Sequence, residues 1–437
     1  MKKKKILEYD NKYIWHPFTQ SETSEKPLVI NSASEDKLID IDGNEYIDLI
    51  SSWWVNVHGH GNKKIIDSIT TQAKELDQVV FADLTHKPAV ELAKNLNDIL
   101  PGELTRVFYS DNGSTSVEIA LKVAYQYWKN KKKIKKKFVS FEGGYHGDTL
   151  GAMSLGFSSG FYEPFKDLVF KSLFVPFPED WKGNNSINED EEKSLDAIDN
   201  IININSNEIA AVIIEPLVQG ASGMKICRPD FLNKVVKKFQ SNDILVIFDE
   251  VMTGFGRTGK MFASDFLEVC PDIICLAKSI TSGYLPLAAT IFKEKIHQEF
   301  VDLELNKAFL HGHSFTANPI ACSAAIESIK IFKNENTLER VKNIEKIHKD
   351  GLQFLSKNPH ITKTRFLGGI AAFNILGFDK GYGARIGEKI KRNFLKKGYL
   401  IRPLGETIYL MPPFCIKEKI LEKVYQDLDE EINKIKI

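Results

Sequence analysis

The chain of 437 residues is 43% hydrophobic and 27% charged, an ordinary globular composition, and its length suits two or three domains, or one large domain with a smaller one attached. Lysine plus arginine equals aspartate plus glutamate at 58 each, so no overall field favours nucleic acid or an anionic membrane. The longest purely apolar runs, such as ILVIF at 244–248, are far too short to span a bilayer, and five cysteines (Cys227, Cys270, Cys275, Cys322, Cys415) form no CxxC pair, which reads as reduced thiols in the cytoplasm.

The start, MKKKKILEYDNKYIW, has the basic region of a signal peptide without the apolar stretch that should follow, so none is expected. Residues 1–60 read as short strand-like pieces and turns, the N-terminal part of a small domain; KLIDIDGNEYIDLI (37–50) predicts a hairpin around Asp42-Gly43. From about residue 63, apolar residues at three- and four-residue spacing predict helices in NKKIIDSITTQAKELDQVV and KPAVELAKNLNDIL. Strands and helices then alternate. TRVFYS (105–110) precedes STSVEIALKVAYQYW (114–128), and KFVSF (137–141) precedes a glycine-rich turn. EIAAVIIEP (208–216), ILVIFDEV (244–251) and DIICLAK (272–278) are near-continuous apolar strands, as in a parallel sheet buried under helices. The large domain is expected over 61–330. The polar segment 180–195 reads as a loop, and KNKKKIKKK (129–137) as a solvated connection rather than a nucleic-acid patch. Residues 331–437 mix helices with short strands and predict the C-terminal part of a small α+β domain.

Chemistry enters where charge ends an apolar run. Lys278 closes the strand DIICLA, and Asp249 closes ILVIF. Carboxyl ends of parallel strands are where α/β sheets hold ligands. Two opposite charges at such ends suggest one ligand between them, and pyridoxal phosphate fits: its aldehyde needs a lysine, and its ring nitrogen an acidic partner. The alternatives are a snorkelling surface lysine and a carboxylate that caps the next turn. SDNGSTSVEIALK (110–122) follows a strand and opens a helix, so its backbone N–H groups face an anion, although a plain N-cap at Ser114 or Ser116 reads the same way. In GGYHGDT (143–149), Tyr145 suits stacking on a planar ring or a structural place in a turn. Three further matches read as decoys. GFGRTG (254–259) fits G-x-G-x-x-G, the basis of a nicotinamide-dependent oxidoreductase as the rival reading, but no amphipathic helix opens after it. GFSSG (156–160) lacks the strand and helix of a nucleophile elbow. HGH at 58–60 and 311–313 lacks a third metal ligand, so no metal is expected.

With these residues assembled, the chain resembles the class III pyridoxal-phosphate-dependent aminotransferases of fold type I, an α/β fold with a mostly parallel central sheet in a large domain and a smaller α+β domain from both chain ends. VIFDEVMTGFGRTGKMFA followed by PDIICLAKSITSGYLPLAA carries the likeness. WHPFTQ (15–20), SSWWVNVHGHG (51–61), YHGDTLGAMS (145–154), HGHSFTANPIACSAA (311–325) and IRPLGETIYLMPP (401–413) narrow it to the branch that aminates 8-amino-7-oxononanoate in biotin biosynthesis. The resemblance implies that Lys278 bonds the cofactor and shuttles a proton, Asp249 pairs with the pyridine nitrogen, Gly113 and Ser114 hold the phosphate, and Tyr145 lies against the ring. It implies that His313 and Ser314 reach the phosphate of a neighbouring subunit in a homodimer with shared sites. Arg402 would bind the substrate carboxylate, a bidentate contact suited to arginine, with Phe18, Trp53 and Gly312 as substrate contacts and Glu215 and Arg257 in active-site segments. Two half-reactions at one site follow, with ping-pong kinetics. Position 18 is Phe where many relatives have tyrosine, and HGHS replaces HGPT. The expected amino donor is S-adenosylmethionine, which the paired tryptophans of SSWWVNVHGH favour; the alternatives are lysine as donor, or another class III ω-aminotransferase acting on ornithine, 4-aminobutyrate or a similar amine.

Overall fold

The computed structural model describes residues 1–157, 162–376 and 385–434. A seven-stranded sheet runs through its centre: β1 (Leu104–Ser110), β2 (Lys137–Phe141), β3 (Leu173–Val175), β4 (Ile209–Ile214), β5 (Leu245–Asp249), β6 (Ile273–Leu276) and β7 (Ala288–Lys293), in the spatial order β1-β7-β6-β5-β4-β2-β3. The pairs β6–β5, β5–β4, β4–β2 and β2–β3 are parallel, and β7 is antiparallel to both its neighbours. β4, β5 and β6 are buried along their whole length. Alternate residues feed two cores: Ile213, Leu245, Ile247 and Ile273 pack with Val117 and Ile119 of the helix Gly113–Asn130, while Val212, Val246, Phe248 and Ile274 pack with Phe231 and Val235 of the helix Pro229–Ser241. A strand covered on both faces has no polar side, which is why these segments read as unbroken apolar runs.

The two ends of the chain meet. Ile30–Ser34, Lys37–Asp40 and Glu45–Asp48 form one sheet with Tyr399–Leu400, which runs parallel to Glu45–Asp48. Gly43 makes the predicted hairpin turn at φ +86°. A second small sheet joins Ile361–Leu367, Ile370–Ile375 and Thr407–Leu410; the helix Thr337–Leu355 packs on it, and the helix Glu418–Asn433 packs on that helix.

Three segments differ from their sequence reading. The polar stretch at 180–195 runs into a helix, Ile187–Asn205, whose inward face is Ile187, Glu191, Ser194, Ile198 and Ile202. The period is helical, but Glu191 and Ser194 hide it; Glu191 is buried because Arg228 grips both of its oxygens at 2.6 Å. Residues Lys3–Tyr13 are helical although no residue of that helix is buried, so no apolar period marks it. In the lysine-rich connection, Lys135 is buried with its amine 4.1 Å from the ring centre of Trp128, a cation–π contact rather than a solvated charge. Of GFSSG, residues 158–160 lie outside the described residues.

Candidate active site

Asp249 ends β5 in register with Cys275 of β6, and Lys278 leaves the sheet three residues later at the same edge. Both line a cavity of about 480 Å³ together with Gly113, Ser114, Tyr145 and Glu215. These residues, all singled out from sequence, therefore share one space at the carboxyl ends of parallel strands, where such sheets bind ligands.

The lysine is held in a left-handed backbone conformation, φ 47°, uncommon for a non-glycine residue. Its amine lies 4.7 Å from the ring centre of Trp54. Burial lowers its pKa to about 8; the charges of Asp249 and Glu215 oppose that shift and Arg257 adds to it. An amine so placed is partly neutral near pH 7, as a nucleophile or base must be.

Asp249 is 4% exposed. Its Oδ2 accepts a hydrogen bond from His146 Nδ1 at 2.7 Å, and its Oδ1 accepts from the backbone N–H of Val251 at 3.1 Å. His146 Nε2 lies 3.3 Å from Ser140 Oγ on β2, so the imidazole is fixed from both sides. The neighbouring Glu250 serves the fold instead. It accepts from Thr253 Oγ1 and from the N–H groups of Ala263 and Ser264, and is absent from the cavity wall. Of the two adjacent acids, Asp249 alone lines the cavity. Glu215 is also buried, its pKa pushed up to about 7 by that burial. It accepts from the N–H of Tyr145 at 3.0 Å and of Gly220 at 3.1 Å, so it fixes the backbone beneath the tyrosine.

Gly113 and Ser114 open the helix Gly113–Asn130, capped by Asn112, whose side chain accepts from Thr115 N at 3.0 Å. A Cβ at Gly113 would come within 2.7 Å of Val251 Cγ1, so the close packing of helix start against the β5 end needs glycine. Ser114 Oγ accepts from the N–H of Asp148 at 3.1 Å. Gly147 has φ +124°, and any Cβ there would run into that hydroxyl. Tyr145 donates its phenolic hydrogen to Asp148 Oδ2 at 3.0 Å.

The remaining candidates lie off the cavity wall. Trp53 is 39% exposed; its ring centre lies 5.7 Å from that of Phe18 in an edge-on arrangement, and the Arg402 guanidinium lies 4.4 Å from its ring centre. These three form one cluster around Trp53. Gly312 and Ser314 are exposed and His313 is half-buried; the Ser314 carbonyl accepts from Gln78 Nε2 at 2.8 Å, and His313 Nδ1 accepts from Phe315 N at 3.2 Å. Arg257 is fully buried and donates to Ser51 Oγ at 3.1 Å and to the Asn56 carbonyl at 3.0 Å. GFGRTG is a turn leading to the short 3₁₀ helix Ala263–Phe266, not to the helix a dinucleotide fingerprint opens. His58 pairs with the Ser328 carbonyl, and His60 with Asp48 and Asn56.

Two residues of the site escape a reading by sequence, Trp54 and His146. Each is adjacent in the chain to a residue that sequence does mark. Ser51, Ser52 and Trp54 all have left-handed backbones, φ 51°, 62° and 65°. That turn points Trp54 into the cavity and Trp53 outward. Strain of about 1–3 kcal/mol per such residue persists only where the surroundings dictate it. Here Asp48 accepts from the N–H groups of Ile50 and Ser52, Arg257 holds Ser51 Oγ, and Trp54 Nε1 donates to Tyr409 Oη at 2.9 Å.

The donor set fits pyridoxal phosphate. A lowered-pKa amine, an imidazole-braced carboxylate and a helix N-terminus share one cavity, matching an aldehyde, a ring nitrogen and a phosphate.

Comparison with known proteins agrees. A family profile described as aminotransferase class-III matches residues 19–432. The chain is 43% identical over 423 residues to the adenosylmethionine-8-amino-7-oxononanoate aminotransferase of Synechococcus elongatus, covering 97% of this chain and 99% of the relative. The crystal structure of the enzyme of that name from Methanocaldococcus jannaschii superposes with a TM-score of 0.92 at 37% identity, over 100% of both chains. An omega transaminase from Pseudomonas jessenii, solved in complex with PMP, gives a TM-score of 0.92 at 26% identity, over 98% of this chain and 97% of that one. A profile spanning nearly the whole chain, joined to a cavity of this composition, makes it a member of the class III aminotransferases.

Proposed function

We propose that this chain transfers an amino group to 8-amino-7-oxononanoate, giving 7,8-diaminononanoate in biotin biosynthesis, with S-adenosylmethionine as the donor. The chemistry rests on one observation, the opening of Lys278 and Asp249 into a single cavity at the start of the helix Gly113–Asn130. The choice of acceptor is supported by the likeness along the full chain to enzymes bearing that name.

Pyridoxal phosphate, when bound, supplies an electron sink for the charge left as a substrate C–H bond gives up its proton. Gly113 and Ser114 would bind the phosphate through the helix N-terminus. Asp249, braced by His146, would keep a proton on the pyridine nitrogen. Tyr145 would lie against the ring, its backbone tied to Glu215. Lys278 would hold the aldehyde carbon and, with a pKa near 8, take and return the proton at the substrate carbon. The Trp54 ring lies against the amine as one wall of the cavity. Arg402 would take the substrate carboxylate at the rim, with Trp53 and Phe18 as its apolar wall. Gly312, His313 and Ser314, exposed or half-buried and away from this chain's cavity, suit service to the site of a second copy, so the working unit is a homodimer. A cytoplasmic location accords with five free cysteines.

The test is restoration of biotin-free growth in a strain lacking the enzyme. Wild type should restore it and Lys278→Ala should not; failure of wild type would overturn the assignment. Mixing the holoenzyme with each donor in turn then decides between them. S-adenosylmethionine should bleach the cofactor's visible band, and bleaching by lysine alone would transfer the donor role to lysine.

A further inference from the structure

Glu118 carries no role in the chemistry above, yet it holds the loop that does. It lies one turn beyond Ser114 on the helix Gly113–Asn130, on the same face. Its Oε1 accepts three hydrogen bonds from a single segment: Thr149 Oγ1 at 2.6 Å, Gly151 N at 2.7 Å and Ala152 N at 3.1 Å. A Cβ at Gly151 would strike the carboxylate, so glycine permits this approach. Ser114 Oγ holds the same loop one step earlier, at Asp148 N. Two anchors on one helix face thus fasten residues 148–152. The residues just before them are Tyr145 and His146, and His146 fixes the Asp249 carboxylate at 2.7 Å.

We propose that Glu118 is a positioning residue. It registers the Tyr145–Thr149 loop on the phosphate helix, so that the groups meeting the cofactor's two ends, Gly113–Ser114 and Asp249 through His146, move as one body. A carboxylate oxygen accepting two backbone N–H groups and one hydroxyl loses all three on truncation, leaving donors at the start of the helix Leu150–Gly156 without their partner. An amide oxygen in its place keeps them. The role is one of geometry rather than of charge, and the inference rests on the cofactor reading given above.

The experiment compares Glu118→Ala, Glu118→Gln and Thr149→Val as holoenzymes. Amide exchange at Gly151 and Ala152 reports the clasp itself, and the rate at which pyridoxal phosphate is lost to an excess of scavenger reports its effect on the cofactor. Truncation should raise both by about tenfold or more, the loss expected when two backbone donors and a hydroxyl are left without their shared acceptor. Glu118→Gln should stay within about threefold of wild type and Thr149→Val should fall between, as one bond of three is lost. Wild-type exchange and release in Glu118→Ala would overturn the proposal. So would a Glu118→Gln enzyme as impaired as the truncation, since charge would then be what matters. If Glu118→Ala does not fold, the Gln and Val variants carry the same decision. Exchange at Gly151 and Ala152 is independent of which amine is donor or acceptor, so an error in the proposed reaction leaves this result legible.

Discussion

The floor of the cavity and the surface cluster proposed as its rim are built in opposite ways. On the floor, Lys278, Asp249, Glu215 and Gly113 sit at strand ends or a helix start, and both carboxylates are buried with named partners. In the cluster proposed as the rim, Phe18, Trp53 and Arg402 are joined by an edge-on ring contact and a cation–π contact, with Phe18 44% and Trp53 39% exposed. Preorganised, water-excluded groups raise the rate of a chemical step, whereas adaptable surface contacts choose what enters. The floor should therefore decide whether amino transfer occurs at all, and the rim which molecule takes part.

The largest test of that division is Lys278→Ala, which should lower kcat by about 10⁴-fold or more with every donor and acceptor, read by steady-state kinetics. Asp249→Asn should come next, at about 10²–10³-fold in kcat, again regardless of substrate. A floor variant that impaired one substrate and spared another would break the comparison. Arg402→Ala should lower kcat/KM for the acceptor about 10–100-fold while leaving kcat little changed; an equal fall in kcat would place the rim in the chemistry. Stability without cofactor separates the regions differently. The folded pKa of Lys278, about 8, lies below its usual 10.5. Between those values the unfolded chain binds more protons, so stability contributed by this group is lowest below pH 8 and rises toward pH 10.5. Lys278→Met should flatten that slope and stabilise the cofactor-free protein at pH 7, on the order of 1–2 kcal/mol by thermal unfolding across pH. The smallest effect belongs to Phe18→Tyr. It should change kcat by no more than about threefold while altering the ratio of activity between S-adenosylmethionine and lysine, a shift in binding alone.

Much of the floor is legible in sequence because burial and charge collide there. A lysine or aspartate that ends an apolar run stands out against a background where such residues are rarely buried. The central strands are legible for the same reason, since β4, β5 and β6 have no solvent face. What escapes depends on backbone angles and on partners far along the chain. Nothing in SSWW tells which tryptophan turns inward; the left-handed angles at Ser51, Ser52 and Trp54 decide it, and they are imposed by Asp48, Arg257 and Tyr409. His146 is hidden because its partner Asp249 lies 103 positions away. The helix Ile187–Asn205 is hidden because a buried glutamate interrupts its apolar stripe, and that glutamate is tolerable only beside Arg228.

The reversed strand β7 has a consequence for the amine. A return in the parallel sense would demand a helical crossover, and with it a long, compliant route out of the sheet. Because β7 comes back antiparallel, the path from β6 needs only residues 277–287, and Ala277, Lys278 and the stretch 283–287 all belong to the cavity wall. The lysine is thus mounted on a short bridge pinned at both abutments, which leaves its side chain free to swing while its backbone has nowhere to go.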